Sequence, residues 1–144
     1  MCSSDLGPFT FRAAETASVA AFDASAPAIE ALTAAARHTS GLKPITAETR
    51  DLFRTPLLAR ELKPYDGVIL DPPRAGAEAQ CRELARAPVS RIAYISCDGA
   101  SFARDAALLL TGGFQIEGEI AAIDQFRHAA HLETVAIFVR ARGA

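Results

Sequence analysis

At 144 residues, half of them hydrophobic, the chain has the size of one domain and enough apolar content for a buried core. It contains no apolar run near the ~20 residues that span a bilayer, and no basic stretch followed by an apolar block of signal-peptide type. The net charge of −2 argues against this segment alone gripping a nucleic-acid backbone by electrostatics, so strong affinity of that kind needs a local patch or a further domain.

Strand and helix patterns alternate from the N-terminus onward. Residues 18–22 read as a short strand ending at Asp23, followed by an alanine-rich helix from Pro27 to Arg37 with Ser25 as N-cap and Gly41 beyond its end. Residues 44–48 form a weaker strand leading to Asp51, and Pro56 to Leu62 reads as a helix. Gly67 to Leu70 is a buried-type strand running into Asp71-Pro72-Pro73-Arg74. A helix over about 77–87 and a strand over 91–95 follow. The next helix, from about Ala100 to Leu110, sets Phe102, Ala106, Leu109 and Leu110 on one face, and Gly112-Gly113 closes it. Residues 114–120 and 132–140 are a last pair of strands. This alternation predicts an α/β fold, a mainly parallel Rossmann-like sheet with helices on both faces.

In such a sheet ligands bind at the carboxyl ends of the strands, where this sequence places Asp23, Asp51, Asp71 and the thiol of Cys97. A nucleotide-type sheet also needs a first strand and a glycine-rich turn, and only Gly7-Pro8 resembles the tail of that turn. The expectation is therefore that residues 1–6 are a non-native or residual segment and that 7–144 is a domain lacking its first strand. The three cysteines show no CxxC pair or metal-ligand spacing, which fits reduced thiols in a cytoplasmic protein. His128 and His131 lack a clear third ligand, so no metal is expected.

Four motifs occur in order: Asp71-Pro72-Pro73-Arg74-Ala75-Gly76, then Tyr94-Ile95-Ser96-Cys97-Asp98, then Ala103-Arg104-Asp105, then Asp124-Gln125-Phe126 with His131-Leu132-Glu133-Thr134-Val135. Together they closely resemble the RNA uracil-5 methyltransferases, S-adenosylmethionine-dependent enzymes that make 5-methyluridine in transfer RNA and 23S ribosomal RNA. The resemblance runs from Gly7 onward and implies a SAM-dependent methyltransferase catalytic domain. It implies S-adenosyl-L-methionine as cofactor, a flipped or loop uridine of a structured RNA as substrate, and a monomer with no membrane partner.

The chemistry accounts for the residue types. Carbon 5 of uracil is too weak a nucleophile to take a methyl group directly, and a thiolate adding to carbon 6 activates it. A base must then remove the carbon 5 proton before the thiol leaves. The resemblance makes Cys97 the nucleophile and Glu133 the base. It also assigns Asp23 to the ribose hydroxyls, Asp51 to the neighbourhood of the adenine, and Asp71 to the wall between cofactor and base. A position before a helix N-terminus favours a thiolate at Cys97. Plainer roles compete: Cys81 reads as packing, Asp71 as a turn cap before prolines, and Arg74, Arg104 and Arg127 as surface or salt-bridge residues.

Two departures from the family pattern stand out. Gly99 replaces a proline that usually follows Ser-Cys-Asp, which loosens the turn aiming the thiol, and Arg127-His128-Ala129 replaces a segment often carrying proline or threonine. The upstream cofactor contacts and RNA-binding modules of the family do not lie in this chain, so the segment alone is expected to be inactive or feeble. Two alternatives remain: an amino-methyltransferase using Asp71-Pro72-Pro73, and an inactive α/β interaction domain.

Overall fold

A computed structural model describes residues 6–124 and 132–141. The described residues form two compact units, residues 6–55 and the described residues from Pro56 onward.

The first unit comprises α1 (Leu6–Ala14), β1 (Val19–Asp23), α2 (Ala26–His38) and β2 (Ile45–Thr49). β1 and β2 pair in parallel, from Val19↔Ile45 to Asp23↔Thr49, with α2 as the crossover that parallel neighbours require. The Ser25 side chain caps α2 by accepting from the Ala28 amide at 3.3 Å, and Ile29 and Leu32 turn inward. These elements match the sequence pattern to within a residue or two. Helix α1 does not: Gly7 and Pro8, expected in the tail of a loop, lie in its first turn. Proline is tolerated there because the first amides of a helix have no intrahelical acceptor.

The second unit holds β3 (Gly67–Leu70), α3 (Glu78–Arg86), β4 (Arg91–Ser96), α4 (Gly99–Thr111), β5 (Phe114–Asp124) and β6 (Leu132–Arg140). Its strands lie in the order β3-β4-β6-β5. β3 and β4 are parallel, whereas β6 runs antiparallel to both β4 and β5. The four-stranded sheet is thus mixed, because the short connection from β5 to β6 cannot carry a crossover of a dozen or more residues. β5 is also longer than its pattern suggested. A bulge at Gly118, φ 73°, shifts its register between Glu117 and Ala121 and lets pairing resume as far as Asp124.

One face of this sheet forms the core. Ile92, Tyr94, Ala136 and Phe138 meet Cys81 and Leu84 of α3 and Phe102, Ala106 and Leu109 of α4. Each fully buried leucine or phenylalanine contributes roughly 1.5–3 kcal/mol. Leu110, expected on the inner face of α4, is exposed, and Asp105 occupies the buried stripe instead. Arg140 seals one end of the layer. Its guanidinium donates to the carbonyls of Leu84 in the last turn of α3, of Ala87 and Val89 beyond that helix, and of Gly112 beyond α4, and it stacks 4.2 Å from the Phe114 ring centroid.

No helix forms over Pro56 to Leu62; residues 56–58 are irregular and turns follow from Ala59. Gln80 takes both the amide and the carbonyl of Leu57, at 2.8 and 3.0 Å, and the Glu83 carboxylate accepts from the Ala59 amide at 2.9 Å. Side chains of α3 thereby satisfy the backbone groups that a helix would have used, while Leu62 fills the core.

Candidate functional site

The strand ends set the geometry of the second unit. Leu70 is level with Tyr94 in the parallel pair, so Asp71 and Cys97 emerge at the same edge of the sheet. β6 enters at that edge, with Thr134 opposite Ser96. The ladder ends at that pair, and Cys97 and Glu133 are the next residues beyond it on the two chains. On its other side Glu133 pairs with Ile123 of β5. Cys97 and Glu133 are both half-buried, in contrast to Cys81, which is sealed in the core. Burial, followed by the charge of Asp105, pushes the Cys81 thiol far above its ordinary range, so it stays protonated.

The turn bearing Cys97 is braced on both sides. Ser96 Oγ donates to the Asp98 carbonyl at 2.9 Å and accepts from the Asp98 amide at 3.2 Å, bridging across the cysteine. Asp98 is the N-cap of α4, its carboxylate accepting from the Ser101 amide at 2.9 Å. Hydrogen bonds from the Ser101 backbone and then its side chain hold the Asp98 carboxyl below its usual range, with a smaller pull from the Arg74 charge. Gly99 opens the helix with open space around an added Cβ. The bracing by Ser96 and Asp98 supplies the order that a proline at this position would otherwise give.

The Asp71 turn is fastened to α4. Gly76 N–H closes a turn on the Pro73 carbonyl at 2.8 Å. Gly76 itself has φ +80°, and a Cβ there would lie 2.6 Å from both Arg104 Nη2 and Asp105 Oδ2. Only glycine meets the backbone and the space requirement together. The Ala77 amide donates to Asp105 Oδ2 at 2.6 Å, and Arg104 Nη2 donates to the Ala75 carbonyl at 2.9 Å. Arg104, expected as a surface or salt-bridge residue, pairs with Asp105 at 2.8 Å and with Glu78 at 3.5 Å. Ser96 was legible in sequence as a neighbour of Cys97, whereas Asp105 stood out only as part of its motif. A detectable signal for Asp105 was its place three residues after Phe102, on the apolar stripe of α4.

Asp23 and Asp51 belong to the first unit. Asp23 ends β1, and its Oδ1 accepts from the Ser25 amide at 2.7 Å. Asp51 follows β2, accepts from the Phe53 amide at 2.9 Å and lies 3.6 Å from Arg54. The Asp23 carbonyl accepts from the Arg50 amide at 2.8 Å, which ties the two strand ends together. Two carboxylates at neighbouring parallel strand ends suit the hydroxyl and amino donors of a nucleoside. Gln125, Phe126, Arg127, His128, Ala129 and His131 lie outside the described residues. Among the described residues no three His, Cys, Asp or Glu side chains gather as a metal site, and no helix is long and apolar enough to cross a membrane.

A family model described as tRNA (Uracil-5-)-methyltransferase matches residues 13–141. An uncharacterized RNA methyltransferase of Rhizobium meliloti is 53% identical over 131 residues, which are 91% of this chain and 31% of that protein. The 23S rRNA (uracil(1939)-C(5))-methyltransferase RlmD of Chromohalobacter salexigens is 42% identical over 136 residues, 94% of this chain and 28% of that protein. The chain thus spans about a third of the length of the curated relatives it matches. In fold it is similar to the crystal structure of a magnesium protoporphyrin IX methyltransferase from Synechocystis with bound SAM. The TM-score is 0.68 at 22% identity, over 94% of this chain and 66% of that one.

Proposed function

The chain belongs to the tRNA (uracil-5-)-methyltransferase family, and from that premise we propose that it forms the catalytic part of an enzyme methylating carbon 5 of a uridine in RNA, with S-adenosylmethionine as methyl donor. The observation that supports the mechanism is the β4–β6 register, whose last pair is Ser96↔Thr134, with Cys97 and Glu133 the next residues beyond that pair.

The Cys97 thiolate adds to carbon 6 of the uracil, forming a sulfur–carbon bond and moving the ring's π electrons to carbon 5 and the carbonyl oxygen. S-adenosylmethionine, when bound, supplies the electrophilic methyl that carbon 5 takes up. The Glu133 carboxylate then accepts the carbon 5 proton, the carbon 5–carbon 6 double bond returns, and Cys97 leaves as thiolate. Asp23 and Asp51 hold the nucleoside part of the cofactor, and Asp71 lines the wall between cofactor and base. The target uridine must leave its stack to reach a half-buried thiol, so it is flipped or presented in a loop. The protein acts as a cytoplasmic monomer in this reading, with further RNA contacts provided outside these residues.

The test is covalent trapping with the full-length protein. RNA bearing 5-fluorouridine has no removable proton on carbon 5, so with S-adenosylmethionine it should leave a denaturation-resistant adduct. Cys97→Ala should abolish both adduct and turnover, while Glu133→Gln should form the adduct with ordinary uridine RNA and release it slowly. Retained methyl transfer by Cys97→Ala would reject the covalent route and favour amino-group methylation at Asp71-Pro72-Pro73.

A further inference from the structure

Asp105 is fully buried, yet it is a carboxylate. Burying such a group is unfavourable unless it is paired and fully hydrogen-bonded, and here four donors surround it. Oδ2 accepts from the Ala77 amide and from the Tyr94 hydroxyl, both at 2.6 Å. Oδ1 accepts from Arg104 Nε at 2.9 Å and Nη2 at 2.8 Å. An apolar side chain would fill this space on α4 at lower desolvation cost, so packing alone does not explain the acid.

The donors come from three places. Tyr94 lies in the middle of β4, its ring edge-on to Phe102 at 5.5 Å. Arg104 belongs to α4 and reaches the Ala75 carbonyl. Ala77 ends the turn that begins with Asp71. Arg74, in the same turn, carries a charge that adds a small downward pull on the Asp98 carboxyl beside Cys97. Burial, then the bond to Asp105, raises the Tyr94 phenol, so it stays a donor through neutral pH.

We propose that Asp105 is a positioning residue, a buried clasp that fixes the Asp71–Gly76 turn relative to the Cys97 turn by joining Ala77, Tyr94 and Arg104. The inference rests on the reading of Cys97 and Asp71 given above. It requires that loosening the clasp harm the reaction at sites that are still folded. Misplacing reacting groups by about 1 Å can slow a step about 100-fold.

Tyr94→Phe removes one donor and keeps the ring in the core; Asp105→Asn turns one acceptor oxygen into a donor facing donors. Both are measured in the full-length protein, with active sites counted by the 5-fluorouridine adduct, so that losses from unfolding drop out. The expected result is a kcat per titrated site lower by about 10- to 100-fold, KM for RNA nearly unchanged, and faster hydrogen exchange at the Ala77 amide. Tyr94→Phe should show the smaller loss, and it decides the matter if Asp105→Asn fails to fold. Wild-type kcat per site in the folded variants overturns this inference alone. Failure of the unmodified protein to form any adduct overturns the catalytic reading, and the clasp's role in the reaction with it.

Discussion

Gly76→Ala measures how closely the Asp71 turn is packed on α4. The backbone there has φ +80°, and a Cβ in the left-handed region costs about 1–2 kcal/mol. The new methyl would also sit 2.6 Å from Arg104 Nη2 and Asp105 Oδ2 and 2.9 Å from Ser101 Cβ. Arg104 ends a flexible side chain, but Asp105 cannot move without breaking its bonds to Ala77 and Tyr94, and overpacking of this kind costs about 1–3 kcal/mol more. The expected total is about 2–5 kcal/mol. Gly118→Ala is the matched control in the same unit, with φ +73° and nothing within 4 Å of an added Cβ. It should lose only the backbone part, about 1–2 kcal/mol. Urea unfolding followed by far-UV circular dichroism reads the contrast. With slopes of about 1–3 kcal/mol per molar urea, the two midpoints should differ by about 1 M. Coincident midpoints would refute the packing argument, because the variants differ in the space available and not in backbone region.

Gly99→Pro should stabilise the fold by about 0.4–1 kcal/mol through a less flexible unfolded chain, and so raise the urea midpoint. Asp98 at φ −140°, ψ 118° already has the extended conformation that precedes proline, so a lowered midpoint would contradict the geometry of this turn. Stability should also decline in alkali. The folded values of Cys81 and Tyr94 both lie above their unfolded ones, so their contribution is complete below about pH 8.5, the unfolded thiol value, and is lost as pH rises beyond it. Urea midpoints taken from pH 7 to strong alkali should be level and then fall, less steeply in Cys81→Ala. An unaltered slope in that variant would remove Cys81 as a cause.

Much of the fold was legible from local pattern. Alternating apolar runs and helix signals marked α2, α3, α4 and β1 to β4 because their propensity, caps and buried faces agree. Ser25 and Gly112 stand at the two kinds of helix end they suggest. The failures have separate origins. Pro56 to Leu62 has helix-like composition, but Gln80 and Glu83 take its backbone groups from a distance in sequence. α1 was hidden by Gly7-Pro8, which reads as a loop when its place in a first helical turn is unseen.

The residue types needed for a covalent pyrimidine methylation, and their order, are a property of the sequence alone: a thiol before a helix, a carboxylate in a late strand, an acid before two prolines. Which of these stand side by side was decided only by the tertiary structure. The separation of Cys97 from Glu133 along the chain says nothing of their nearness, and it is the antiparallel ladder of β4 and β6 that pairs their neighbours Ser96 and Thr134. Likewise Asp105 looks like an acid misplaced on an apolar helix face until folding surrounds it with a tyrosine, an arginine and a loop amide. Local pattern governs backbone conformation through neighbours a few residues away, whereas strand register and buried charge pairing depend on partners that only the folded chain assembles.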